Sequence, residues 1–282
     1  MDYVRWEERP RLRRPILIAA FEGWNDAAEA ATTAARYLRD RWGARPFASV
    51  DPEEFYDFSS TRPQVKLAEG FTRRIVWPAN QLSAARLTGE DHDVVLLIGT
   101  EPQLRWRTFS AEVVSIAQDL GVELVVTLGA LLADVAHTRP VKVTGSAASR
   151  ELVEELGLQR SRYEGPTGIV GVLHDAFAKA GIPSASLWAA VPHYVAGTPS
   201  PKAALALVER AARLLEVRVV AADLAQLAVD YERQVTEVVE ADEDVSAYVT
   251  RLEETNDAEG LELASGEELA AELQRFLREQ GD

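Results

Sequence analysis

The 282-residue chain is 47% hydrophobic, enough to bury a sizeable core, and its length suits one large domain or a domain with an appendage. A formal net charge of −15 argues against nucleic acid and anionic membrane surfaces as partners, because both attract basic patches. The absence of cysteine excludes disulfides, thiolate nucleophiles and Cys-ligated metals together.

In chain order, Met1–Glu8 has neither the basic start nor the apolar run of a signal peptide, so a cytoplasmic location is expected. No charge-free apolar stretch reaches the ~20 residues of a membrane span. Pro15–Phe21 is a short apolar run suited to a buried strand. Glu22-Gly23-Trp24-Asn25 reads as a turn, and an Ala-rich helix follows from Asp26, its N-cap or first-turn acid, to about Trp42. Phe47–Val50 is a further strand, and 51–60 is irregular. Val65–Leu67 and Phe71–Trp77 form a hairpin that turns at Gly70, within an insert at 51–90 able to add antiparallel strands.

Asp93–Ile98 is the next strand, followed by a loop at 99–107 and a helix over Ser110–Leu120 stopped by Gly121. Glu123–Leu128 is a strand, Gly129–Pro140 a long loop, Val141–Val143 short and extended, and Ser149–Leu156 helical. The loop Ser161–Thr167 opens a helix over 168–180; His174 lies on it and is expected at the surface or half-buried. Ala185–Val191 is the last strand and Pro201–Leu215 the helix after it. Apolar strands alternating with amphipathic helices predict a three-layer α/β domain over 1–216. Residues 217–282 form a helical appendage, with helices over Val217–Glu240 and Glu243–Glu254 and a linker at Thr255–Gly260. A capping box at Ser265–Glu268 opens a last helix with Leu269, Leu273, Phe276 and Leu277 on one face. From Glu232 to Asp282, 16 acidic residues stand against Arg233, Arg251, Arg275 and Arg278. That balance of −12 leaves −3 for the first 231 residues.

In open α/β sheets, sites form where loops leave the carboxyl ends of strands. Those loops are polar here. On a catalytic reading Glu22, Glu101 or Glu164 acts as base, His137 or His193 as acid/base, and Arg105 and Arg139 as anion clamps. Asn25, Thr167 and Gly168 complete the candidate ligand contacts; the Gly165-Pro166-Thr167-Gly168 turn and Gly145-Ser146 each precede a helix whose free N–H groups could hold an anion. On a structural reading the same side chains knit their own turns and caps. The chain has no Gx4GK[ST], GxGxxG or GxSxG pattern, and its four histidines are far apart, so no cofactor and no metal are expected.

Five segments together resemble the proteasome assembly chaperone 2 family in its bacterial branch. They are Phe21-Glu22-Gly23-Trp24-Asn25-Asp26-Ala27, Gly99-Thr100-Glu101-Pro102, Leu128–Pro140, Tyr163–Gly168 and Ser186–Tyr194. The resemblance implies a three-layer α/β/α sandwich of the phosphorylase/hydrolase-like type with a mostly parallel mixed sheet. It also implies self-association, with a trimer expected, and proteasome subunits as partners. Relatives that touch proteasome rings often end in a hydrophobic-Tyr-any motif; this sequence ends Arg278-Glu279-Gln280-Gly281-Asp282, so docking by that route is not expected. The leading expectation is a non-catalytic, self-associating protein. The alternative is an enzyme acting on a small anionic or nucleoside-like substrate at the strand-end cluster.

Overall fold

Alternation along residues 16–22 sets the two faces of the sheet. In the computed structural model, which describes residues 3–68, 72–147, 149–160 and 164–259, Ile16–Glu22 forms β2 after a short β1 (Val4–Trp6). Leu17, Ala19 and Phe21 enter one apolar layer, and Ile18 and Ala20 the other, because successive side chains of a strand point to opposite faces. The remaining strands are β3 (Arg45–Val50), β4 (Gln64–Ala68), β5 (Thr72–Val76), β6 (Asn80–Ala85), β7 (Val94–Thr100), β8 (Leu124–Ala133), β9 (Val143–Ala147), β10 (Gln159–Arg160) and β11 (Ser184–Pro192). Nine of them order as β1-β3-β6-β7-β2-β8-β11-β9-β10, while β4 and β5 pair only with each other. The centre, β7-β2-β8-β11, is parallel, and antiparallel strands flank it on both sides.

Helices α1 (Ala30–Arg41) and α5 (Pro201–Leu214) cover the Ile18 face, and α2 (Trp106–Leu120) and α4 (Ile169–Lys179) the Leu17 face. This is the three-layer α/β/α arrangement expected, and a short α3 (Arg150–Leu156) joins the first layer through Leu152. Below the carboxyl end of β2, Phe21, Phe109 and Phe55 stack edge to face at 6.0 and 5.5 Å. Truncating one such ring costs about 3–5 kcal/mol. Beyond α5, α6 (Ala222–Glu240) packs on it and α7 (Glu243–Glu259) folds back along α6, around Tyr231, Val235, Val239, Val249 and Leu252.

Several boundaries differ from expectation. The helix after Asp26 begins only at Ala30, because Ala28 and Glu29 take left-handed backbone angles. Asp26 still caps it from a distance, accepting Ala31 N at 2.7 Å and Thr32 N at 3.2 Å. Helix α2 starts four residues earlier than expected, at Trp106. Residues 129–133 continue β8 instead of forming a loop, since Gly129 leaves room for the Trp188 indole across the β8–β11 pair; a Cβ there would lie 2.6 Å from the ring. The extended segment near 141–143 is displaced to β9, so Gly145-Ser146 lies inside a strand and offers no helix N-terminus. Residues 217–221 stay outside α6, and the supposed linker at 255–259 is the last turn of α7. The expected helix carrying Leu269 to Leu277, the turn at Gly70 and residues 161–163 lie outside the described residues.

Candidate functional site

The strand-end residues divide into two groups. The first sits where β2 and β7, adjacent and parallel, release their chains toward α4. Glu101 Oε1 accepts Asn25 Nδ2 at 3.2 Å and the Ile169 backbone N–H at 2.7 Å, so this carboxylate caps the positive end of α4. Gly168 makes that approach possible: a Cβ there would stand 2.3 Å from Asn25 Nδ2 and 2.7 Å from Glu101 Oε1. Glu22 accepts Thr100 Oγ1 at 3.1 Å and pairs with Arg36. Thr167 is exposed, and among the described residues its hydroxyl makes a long 3.4 Å contact with the Gly168 carbonyl. Glu164 is also exposed and engaged in an interaction of its own. Arg105 belongs to neither group. It pairs through Nη1 with Glu54 at 2.7 Å and donates from the same nitrogen to the Tyr3 hydroxyl at 3.0 Å.

The second group lies past the ends of β8 and β11, beneath α6 and α7. His137 is buried, and its partners fix its tautomer. Tyr194 Oη accepts the His137 backbone N–H at 2.8 Å and faces Nδ1 at 2.8 Å. Thr236 Oγ1, whose own proton goes to the Glu232 carbonyl, lies 3.0 Å from Nε2. Nδ1 therefore accepts from Tyr194 and Nε2–H donates to Thr236. Burial and nearby Lys202 hold the imidazole pKa below its usual value, against Glu232 and Glu253. Burial pushes the Tyr194 hydroxyl up to about 12. Arg139 forks onto Asp257 through Nε and Nη2, both 2.7 Å, and reaches Glu253 at 3.5 Å. His193 Nδ1 stands 3.0 Å from Asp134 Oδ1, too poorly aligned for a hydrogen bond, with Tyr194 and Tyr248 edge-on at 5.7 Å.

Every candidate base or acid with a described hydrogen-bonding pattern thus serves a cap, a turn or an inter-element clamp. Sequence reasoning missed the partners on α6 and α7, namely Thr236, Glu253 and Asp257, because their positions look like ordinary solvated helix faces. His174 is half-buried, within the expectation, but its partners were missed. Its Nε2 and Nδ1 lie 2.9 and 2.7 Å from Thr127 and Ser184, and burial lowers its pKa to about 4. Among the described residues no helix is long and apolar enough to cross a membrane.

The family model described as the PAC2 family matches residues 20–239. A PAC2 family protein from Streptomyces avermitilis is 47% identical to this chain, with a TM-score of 0.78, over 83% of this chain and 99% of its own. A proteasome-assembly chaperone homologue from Mycobacterium tuberculosis is 48% identical, with a TM-score of 0.76 and the same coverage of both chains. A second Mycobacterium tuberculosis protein, described as of unknown function, is 30% identical over 99% of this chain and 97% of its own, with a TM-score of 0.85. None of the curated proteins compared matches the chain.

Proposed function

The chain belongs to the PAC2 family, and from that premise we propose a non-catalytic protein that works through protein–protein contacts, first with copies of itself and then with proteasome subunits. The similarity to a proteasome-assembly chaperone homologue supports the second partner. The internal pairing of Glu22, Glu101, Arg105, His137 and Arg139 weighs against the enzyme reading.

The observation that carries self-association is the β4–β5 hairpin, which stands off the nine-stranded sheet. Its register places Val65 opposite Ile75 and Leu67 opposite Arg73, so Val65, Leu67 and Ile75 share one face. That face is in water, with Leu67 66% and Ile75 48% exposed. Lys66 opposite Arg74 makes the other face basic. A two-stranded hairpin is marginal alone, and an exposed apolar face of this kind marks a protein contact. On α6, Leu227 and Val238 are exposed eleven residues apart, hence on one side of the helix, within the acidic C-terminal region. A basic, apolar arm meeting an acidic, apolar helix face on the next copy is a head-to-tail contact, which closes into a ring such as a trimer.

Mass measurement by light scattering tests this. The wild type should exceed the 31.0 kDa monomer. Val65→Ser/Leu67→Ser/Ile75→Ser together should dissociate it with unchanged circular dichroism, since each side chain contributes roughly 1.5 kcal/mol or more on full burial. A monomeric wild type, or a triple variant of unchanged mass, defeats the self-association reading; failure to capture any proteasome subunit with the tagged protein defeats the partner reading.

A further inference from the structure

A cleft of about 730 Å³ lies between α5, residues 135–145 and the α6–α7 hairpin, apart from the hairpin arm and the Glu101 group. In this acidic protein its lining is cationic, with Arg139, Lys142, Lys202 and Arg210 against the single carboxylate of Asp257. Two of those cations are neutralised within the fold: Arg139 by Asp257, and Lys202 by Glu232 and the His137 carbonyl. The side chains of Arg210 and Lys142 have no hydrogen bond or ion pair among the described residues. For Lys142, which is exposed, water suffices. Arg210 is half-buried on α5, and the charge beside it, Arg213, has the same sign. Burial and that neighbour lower its pKa from the usual guanidinium value, a sign that the fold supplies no counter-charge. A second orphan lines the same cleft. The Tyr231 hydroxyl is buried and unpartnered, with Ser200 beside it but not in hydrogen-bonding geometry.

A guanidinium is planar, stays charged at any physiological pH and matches an oxyanion two oxygens at a time. Leaving one partly desolvated without a partner costs some of its hydration, whereas an anion arriving from solution satisfies it. The cleft is also large enough for a small organic molecule, and Val141, Val143 and Leu158 give it an apolar wall. We propose that this cleft binds a small organic oxyanion, a carboxylate or a phosphate monoester on an apolar body, through Arg210. Lys142 adds long-range attraction, the apolar wall receives the body, and the Tyr231 hydroxyl supplies a hydrogen bond. The cleft shares helix α6 with the proposed assembly surface, but none of Val65, Leu67, Ile75, Leu227 and Val238 lines it, so the two readings are tested by different variants.

Benzoate and phenyl phosphate are suitable probes, titrated calorimetrically into the full chain at low ionic strength. At least one should bind at millimolar concentration or below and raise the melting temperature, and the preferred probe identifies the head group. Arg210→Gln should weaken binding roughly ten- to a hundredfold, as loss of a charge-assisted hydrogen-bond pair predicts. Arg213→Gln, one turn along α5 and outside the cleft lining, should leave binding intact. Arg210→Lys keeps the charge without the fork and guards against misfolding of the glutamine variant; it should still bind, several-fold more weakly. The proposal is overturned if neither probe binds the wild type, if the Arg210 variants bind as the wild type does, or if Arg213→Gln loses as much affinity as Arg210→Gln.

Discussion

Two imidazoles held neutral inside the fold give the protein a pH dependence that can be traced to single residues. The His174 pKa falls to about 4, and that of His137 is lowered as well, whereas both titrate near 6.5 in an unfolded chain. Between those values the unfolded state binds protons that the folded state refuses, so stability rises with pH through this window. It is fully present above about pH 7 and is lost as pH falls toward 4. For His174 the loss reaches about 3 kcal/mol at most. Urea unfolding at intervals from pH 7 to 5 should show that slope in the wild type and a shallower one in His174→Gln. An unchanged slope would mean that the ring is solvated. Little of this was legible: His174 beside Asp175 on an amphipathic helix gives no sign that Thr127 and Ser184 enclose it from neighbouring strands. Glu22, Asn25, Glu101 and Gly168 were legible as a group because they flank strand ends. Which helix they cap was not, since Glu101 and Ile169 are distant in sequence.

At the level of elements, what the sequence carried was periodicity. β2, β7 and β11 are apolar runs with glycine, proline or charge at their ends, and runs that short and so bounded suit a buried strand better than a helix. β6 is one of the antiparallel strands the 51–90 insert was able to add, but it could not be placed because Asn80-Gln81-Leu82-Ser83-Ala84-Ala85 has no apolar run; it is a strand because β3 and β7 pair with it on both sides. The end of α7 was misplaced for a related reason. Thr255, Asn256 and Asp257 look like linker residues, yet Asn256 Oδ1 accepts Ala136 N at 2.8 Å, its Nδ2 reaches the Asp134 carbonyl at 3.3 Å, and Asp257 holds Arg139. The last turn of α7 is therefore a clasp on the loop after β8. Deleting 255–282 should cost about 2 kcal/mol relative to deleting 260–282, from two hydrogen bonds at about 1 kcal/mol each, with the exposed ion pair adding little. Scanning calorimetry should put the shorter protein about 4–8 °C lower. Equal melting temperatures would show that the clasp does not hold in solution.

Over the whole molecule the net charge of −15 conceals a polarity. Residues 61–77 carry Arg62, Lys66, Arg73 and Arg74 against Glu69, a balance of +3, while Glu232–Asp282 carries −12. On the proposed self-association, two forces then act with opposite salt dependence. Copies of an acidic protein repel each other as wholes, and screening relieves that repulsion; a basic arm seated on an acidic helix face attracts, and screening weakens it. The local attraction acts at contact distance and the global repulsion over the molecular diameter, so at ~0.1 M salt, where the screening length is about 10 Å, the contact term outweighs the global one. Sedimentation at rising sodium chloride should therefore show assembly loosening. Lys66→Glu/Arg74→Glu should loosen it further at low salt and bring it close to the wild type at high salt. If salt instead tightens assembly, the apolar face of the hairpin acts without the charge pairing, and a symmetric hairpin-to-hairpin contact replaces the head-to-tail ring. A symmetric contact of that kind closes as a dimer, so the mass at high salt decides between the two arrangements.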